Sequence, residues 1–187
     1  MKKMLIALLA LAAVSPLAAE KLADFTEGMG RVSVCSPPRE VVAQPKAEVV
    51  DDAGVSSGKA LKVTTPALAE GRKFSRYDVV VKLDEGQAAA AEKKNIAFDL
   101  WFGDAKAFGW GGVFFFKAKR GQDHIAKPLR RNKNFVVGKW CHFSVPVSEL
   151  KNPKPSVLPL DEAGMLVLSF FYYAPVEIRV ANIEFTE

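Results

Sequence analysis

The sequence predicts an all-β fold, a sandwich of two antiparallel sheets with little or no helix. Three observations carry that expectation. Strand-length segments with period-two alternation recur along the chain, roughly eight to ten of them. Turn residues (Gly, Pro, Asn, Asp) separate these segments. The alanine-rich Asp84–Lys94 is the one segment of helical composition, and it is too short to be more than a helical turn between strands. The 187 residues suffice for one domain with a substantial core, and no repeat, low-complexity tract or second domain is visible.

The first segment stands apart. Lys2 and Lys3 precede the apolar run Met4–Val14, then Ser15, Pro16 and small residues ending at Ala18-Ala19. This is the layout of a secretory signal peptide, residues 1–19, with a run too short to span a bilayer. The expectation is a bacterial protein exported to the periplasm or beyond, with residues 20–187 as its β-sandwich domain. Without Lys2 and Lys3 the chain has 24 basic and 21 acidic residues, a balance of +3, too modest for a nucleic-acid protein. The most basic segment, Lys127–Lys133 with Arg130 and Arg131, reads as a solvated loop, with contact to an anionic partner as the alternative.

The strands follow in order. Arg31–Cys35 ends at Pro37-Pro38, and Glu40–Asp51 holds one or two short strands broken by Pro45. Ala60–Thr65 stops at Pro66. In Phe74–Leu83, Tyr77, Val79, Val81 and Leu83 alternate with Arg76, Asp78 and Lys82. Asn95–Arg120 reads as the central hairpin, two strands joined by a long Gly103–Gly112 loop carrying Phe108 and Trp110. Ile96, Phe98, Leu100 and Phe102 face the core, with Asn95, Asp99 and Trp101 opposite; in the second strand Phe114, Phe116 and Ala118 are placed inward and Phe115, Lys117 and Lys119 outward. Lys139–Val147 alternates Trp140 and His142 outward with Cys141, Phe143 and Val145 inward. Met165–Tyr173 is nearly continuous apolar, as in a strand covered on both faces. Val176–Phe185 changes parity, which a bulge near Ala181-Asn182 would reconcile.

The candidate site is the outward face of the hairpin, Asp99, Trp101, Phe115, Lys117 and Lys119, joined by Trp110 and Tyr173 from the loop and a neighbouring strand. Rings beside carboxylate and ammonium groups match the apolar faces and hydroxyl fringes of sugars. The alternative is that another segment covers this face. Cys35 and Cys141 are a candidate disulfide, with two separate thiols as the alternative. Nothing points to catalysis: His124 and His142 lack metal-site spacing, and there is no nucleophile elbow, phosphate loop or zinc signature.

Three stretches resemble galactose-binding-domain-like jelly rolls, the fold of many carbohydrate-binding modules of secreted bacterial proteins. They are FDLWFG with GGVFFFKAKRG, GKWCHFSVPVSEL at Gly138–Leu150, and the closing VEIRVANIEF. The resemblance implies a jelly-roll sandwich and a glycan or polysaccharide partner, bound on a sheet face or at a rim, without catalysis. The competing reading is a structural module docking an envelope protein on the same face; a polysaccharide hydrolase or lyase ranks third. No cofactor is expected. The family's closing strand often has Asp where this chain has Asn182 and Glu184, so the strand does not support the structural calcium ion of many members.

Overall fold

The computed structural model describes residues 19–117, 124–129, 136–151 and 158–187, with the side chain of Trp110 outside that description. Residues 1–18, and with them the signal segment, lie outside the described residues, as do Lys119, Arg130, Arg131 and Lys133. The strands are β1 (Glu20–Ala23), β2 (Val32–Cys35), β3 (Lys46–Asp51), β4 (Lys59–Thr64), β5 (Ser75–Lys82), β6 (Asn95–Phe102), β7 (Phe108–Phe116), β8 (His124–Pro128), β9 (Cys141–Pro146), β10 (Met165–Tyr172) and β11 (Glu177–Thr186). A single α-helical turn, Gln87–Ala90, joins β5 to β6, as the short alanine run predicts. Among the described residues no helix is long and apolar enough to cross a membrane.

Two antiparallel sheets result. One runs β3-β4-β11-β6-β9, with β1 also on β11; the other runs β2-β5-β10-β7-β8. Alternation along each strand builds the space between them. Leu61 and Val63, Phe98 and Leu100, and Ile178 and Val180 point in from the first sheet. Tyr77 and Val79, Val113 and Phe115, and Leu168 and Phe170 point in from the second. Aromatic pairs cross the layer, Phe98 against Phe170 and Phe115 against Phe185, both at 6.4 Å between ring centres. Every strand of the first reading is present; β1 and β8 are additional.

The parity change in the last strand is a bulge. The β11–β6 register shifts between Ala181 and Glu184, and Asn182 has φ 50°, a left-handed conformation that Asn tolerates. Ile183 and Phe185 thereby return to the core.

The central hairpin does not exist. β6 pairs with β11 and β9, β7 with β10 and β8, so the two segments belong to opposite sheets. The connection is short, 103–107, because Phe108–Gly112 is strand. It arches over the end of the sandwich, where Phe102 and Phe108 stack at 4.8 Å and 28°. Both sides of β6 are already hydrogen-bonded, which leaves β7 no place beside it.

Candidate functional site

The residues grouped by the hairpin reading are separated. Asp99 and Trp101 lie on the outer face of the six-stranded sheet. Phe115 is fully buried between the sheets, the reverse of its expected parity. The physical reason is that Phe114, Phe115 and Phe116 put aromatics on both parities, so hydrophobicity cannot orient the strand. Contact with Phe185 does. Lys117 follows β7 on the opposite sheet from Asp99 and pairs with Glu162 at 2.5 Å. Trp110 lies in β7 and Tyr173 just after β10, both on the five-stranded sheet.

Cys35 and Cys141 carry no disulfide. β2 is an edge of the five-stranded sheet, whereas β9 runs beside β8 at the opposite margin, the two lining a cleft of about 450 Å3 with Phe143, Val145 and Leu129. Cys141 packs against the core while Cys35 pairs in register with Asp78 on the outer side.

On the six-stranded sheet the outer face is largely self-satisfied. Cross-strand partners Glu48, Lys62, Arg179 and Trp101 form one row. Lys62 pairs with Glu48 at 2.9 Å, which raises the ammonium pKa, and Arg179 holds Glu177 at 2.7 Å. The Arg179 guanidinium lies 4.7 Å from the Trp101 ring centre and also donates to Asp52 Oδ2 at 2.8 Å. Trp140 Nε1 donates to Asp52 Oδ1 at 3.3 Å, and its ring packs with Val55 and the small Ala60 and Ala181. The β3–β4 turn thus folds over this sheet. Burial alone would raise the Asp52 carboxyl pKa, but bonds from Arg179, the Gly54 N–H and Trp140 outweigh it and the net shift is downward.

Beside this latch is a polar cavity of about 380 Å3 lined by Lys21, Ser56, Ser57, Asp99, His142, Asn182 and Glu184. Asn182 Nδ2 donates to Asp99 Oδ2 at 2.6 Å, and His142 Nδ1 lies 2.9 Å from Asp99 Oδ1. The Asp99–His142 pair follows from β6–β9 register, a signal the strand order alone would have supplied. This set does not fit a calcium ion. The amide aims its donor at the carboxylate, and among the described residues no group of three or more His, Cys, Asp or Glu side chains is placed to hold a metal.

The outer face of the five-stranded sheet differs. At one end Phe74, Arg76, Phe171 and Tyr173 share a side: Arg76 and Phe171 are register partners, and Phe74 meets Phe171 edge-on at 5.8 Å. Phe74 and Tyr173 are half exposed, at 51% and 52%. Gly109 makes this possible, because a Cβ there would lie 2.9 Å from Phe171 Cβ and 3.0 Å from the Tyr173 ring. The β7–β10 register shifts between Ser169 and Phe171, where Gly111 brings its backbone against the Ser169 carbonyl; a Cβ would sit 1.8 Å from that oxygen. Farther along the same face Ser169 Oγ donates to the buried Asp78 carboxylate at 2.7 Å. Next come Phe114, Phe116 and His124, with rings 5.0–5.8 Å apart. Sequence parity put Arg76 and Asp78 together; Phe171 sits in an apolar run that reads as core, and Phe74, between Lys73 and Ser75, has the parity of Arg76 but no sequence signal for the strand it would meet.

No protein-family profile and no curated protein matches the chain. Its structure is similar to the family 11 carbohydrate-binding module of a cellulosomal cellulase of Clostridium thermocellum, at 17% identity and TM-score 0.62 over 92% of this chain and 96% of that one. A family 11 module from Clostridium thermocellum in complex with a β-1,3-1,4-mixed-linked tetrasaccharide matches at 16% identity and TM-score 0.57, covering 90% and 95%. The family 30 module of another cellulosomal cellulase of the same organism matches at 14% identity and TM-score 0.59, covering 91% and 98%. At these identities the likeness establishes the fold, the jelly-roll sandwich of carbohydrate-binding modules.

Proposed function

We propose that this is an exported, non-catalytic carbohydrate-binding module that holds a glycan on the outer face of its five-stranded sheet. The observation that carries the reading is the half-exposed pair Phe74 and Tyr173, grouped with Phe171 over a strand whose Gly109 makes room for the rings. Aromatic faces stack on the apolar faces of sugar rings, while Arg76 and the edges of the sheet offer hydrogen bonds to hydroxyls. Trp110 lies in β7 of the same sheet. The solved modules of this fold, one with a bound tetrasaccharide, add support. The leader-like first nineteen residues support export to the periplasm or cell exterior.

Of the residues singled out in the sequence, Tyr173 stays in this proposal. Asp99 and Trp101 leave it, because Asp99 is engaged by Asn182 and His142, and Trp101 by Arg179. Titrating the protein with soluble polysaccharides by calorimetry and tryptophan fluorescence tests the reading. Saturable binding lost in Tyr173→Ala and Phe74→Ala, and kept in Trp101→Ala, is expected. Silence of the folded protein across a broad panel would overturn it and favour the envelope-protein docking module.

A further inference from the structure

The aromatic end of the five-stranded sheet is also its cationic end. Arg72, Lys73 and Arg76 flank Phe74 in the sequence, and Arg76 is the cross-strand partner of Phe171. Elsewhere Lys21 pairs with Asp24, Arg31 with Asp84, Lys62 with Glu48, Lys94 with Glu20, Lys127 with Glu149 and Arg179 with Asp52. Arg39, Lys46, Lys82, Lys93, Lys106, Lys139 and Lys151, by contrast, have no ion pair among the described residues, so it is the place of Arg76 beside the rings that sets it apart. None of Arg72, Lys73 and Arg76 has an ion-pair partner among the described residues. Glu40 accepts from Ser75 Oγ at 3.1 Å and Asp78 from Ser169 Oγ at 2.7 Å, and neither forms an ion pair with Arg76. Glu70, two residues before Arg72, is the exposed acid of this loop.

A partly covered guanidinium without a counter-ion, held beside exposed rings, is matched by a ligand that brings both an apolar ring face and a negative charge. A planar guanidinium offers paired N–H donors that suit a carboxylate or sulfate better than a hydroxyl. Lys73 and Arg72 add a field that draws such a polymer toward the site and is screened by salt. We infer that the glycan is anionic, a polysaccharide carrying uronate carboxylates or sulfate esters, with Arg76 meeting the charged group while Phe74, Phe171 and Tyr173 hold the sugar rings. This inference rests on the glycan-binding reading and adds the charge of the ligand to it.

The test is calorimetric titration of the whole protein with four polymers in 50 mM and 500 mM NaCl. These are polygalacturonate, its methyl-esterified form, a sulfated galactan and the desulfated galactan. Binding to a charged member and at least about tenfold weaker binding to its uncharged counterpart, falling with salt, is expected. Binding confined to the polygalacturonate pair assigns the charge to carboxylate, and binding confined to the galactan pair assigns it to sulfate. Equal binding of charged and uncharged members would overturn the anionic inference while leaving glycan binding intact; no binding to any polymer by folded protein would overturn both. Arg76→Gln is expected to weaken binding about tenfold with an unchanged unfolding midpoint, since it breaks no ion pair. The double variant Arg72→Gln, Lys73→Gln is expected to reduce the salt dependence. Full affinity in all three substitutions would also sink the idea.

Discussion

The guanidinium of Arg179 lies 4.7 Å from the centre of the Trp101 ring, and that contact ties the ring into the outer face of the six-stranded sheet. The same guanidinium bonds Asp52 and Glu177, so the ring is one member of a closed charge network. Trp101→Ala should therefore leave glycan affinity within about twofold of the parent, because the site proposed here is on the other sheet. It should cost about 1 kcal/mol of stability through the lost cation–π contact. Titration beside urea unfolding checks both halves.

Phe115 is fully buried against Phe185, although its sequence neighbours made it look like a surface ring. Phe115→Ala should destabilise the fold by about 3–5 kcal/mol. Phe114→Ala, on the outward and half-buried side of the same strand, should cost clearly less. Equal losses in denaturant unfolding would contradict the assigned parity of β7.

Gly111 is required by the close approach of β7 to β10, since any Cβ would collide with the Ser169 carbonyl. Gly111→Ala should lower stability by about 3 kcal/mol and weaken ligand binding, because the bulge it supports sits beside Phe171 and Tyr173. A variant of unchanged stability would show that the strand accommodates the methyl group.

Asp52 gives the fold an acid-sensitive latch. Its folded-state carboxyl is held below the ordinary value of 3.8, so its contribution is present above that pH and is lost as pH falls through the lower folded value. Asp52→Asn should cost about 1–2 kcal/mol at pH 7 and flatten the stability loss below pH 4. Asp24, brought to about 2 by bonds from the Thr26 hydroxyl and N–H and from Lys21, titrates in the same window, so the remaining slope belongs partly to it. Chemical denaturation from pH 2 to 7 separates the two carboxyls.

Calcium is not expected to bind at the Asp99 carboxylate. With Asn182 Nδ2 and His142 Nδ1 both on the Asp99 carboxylate, the polar cavity is satisfied by protein groups. Adding calcium or a chelator should move the unfolding midpoint by less than about 1 °C. A rise of several degrees with calcium would show that the amide turns its oxygen inward to bind metal.

Most of the fold was legible in the chain because β-structure writes itself as period two. Phe98 and Leu100 inward with Asp99 and Trp101 outward, Cys141 inward with His142 outward, and the Ala181-Asn182 bulge were all read from alternation, and the structure has each of them. Alternation fixes which side a residue takes relative to its own strand neighbours. It carries no information on which strand lies alongside, and it loses meaning where both parities are apolar.

The candidate site depended on both of those missing quantities. Asn95–Arg120 looked like a hairpin because its strands are consecutive, but β6 was already flanked by β11 and β9, which sent β7 to the other sheet and parted Trp101 from Lys117. Cys35 and Cys141, each on a strand the sequence could recognise, ended on opposite margins for the same reason. The sequence by itself determined the fold class, nine of the eleven described strands and the inward face of β6. Only the tertiary structure decided which outward residues meet, since Phe74, Arg76, Phe171 and Tyr173 come from segments about a hundred residues apart and are joined by β5–β10 pairing. Strand pairing is a non-local choice set by how two sheets fill one core, and no local pattern encodes it.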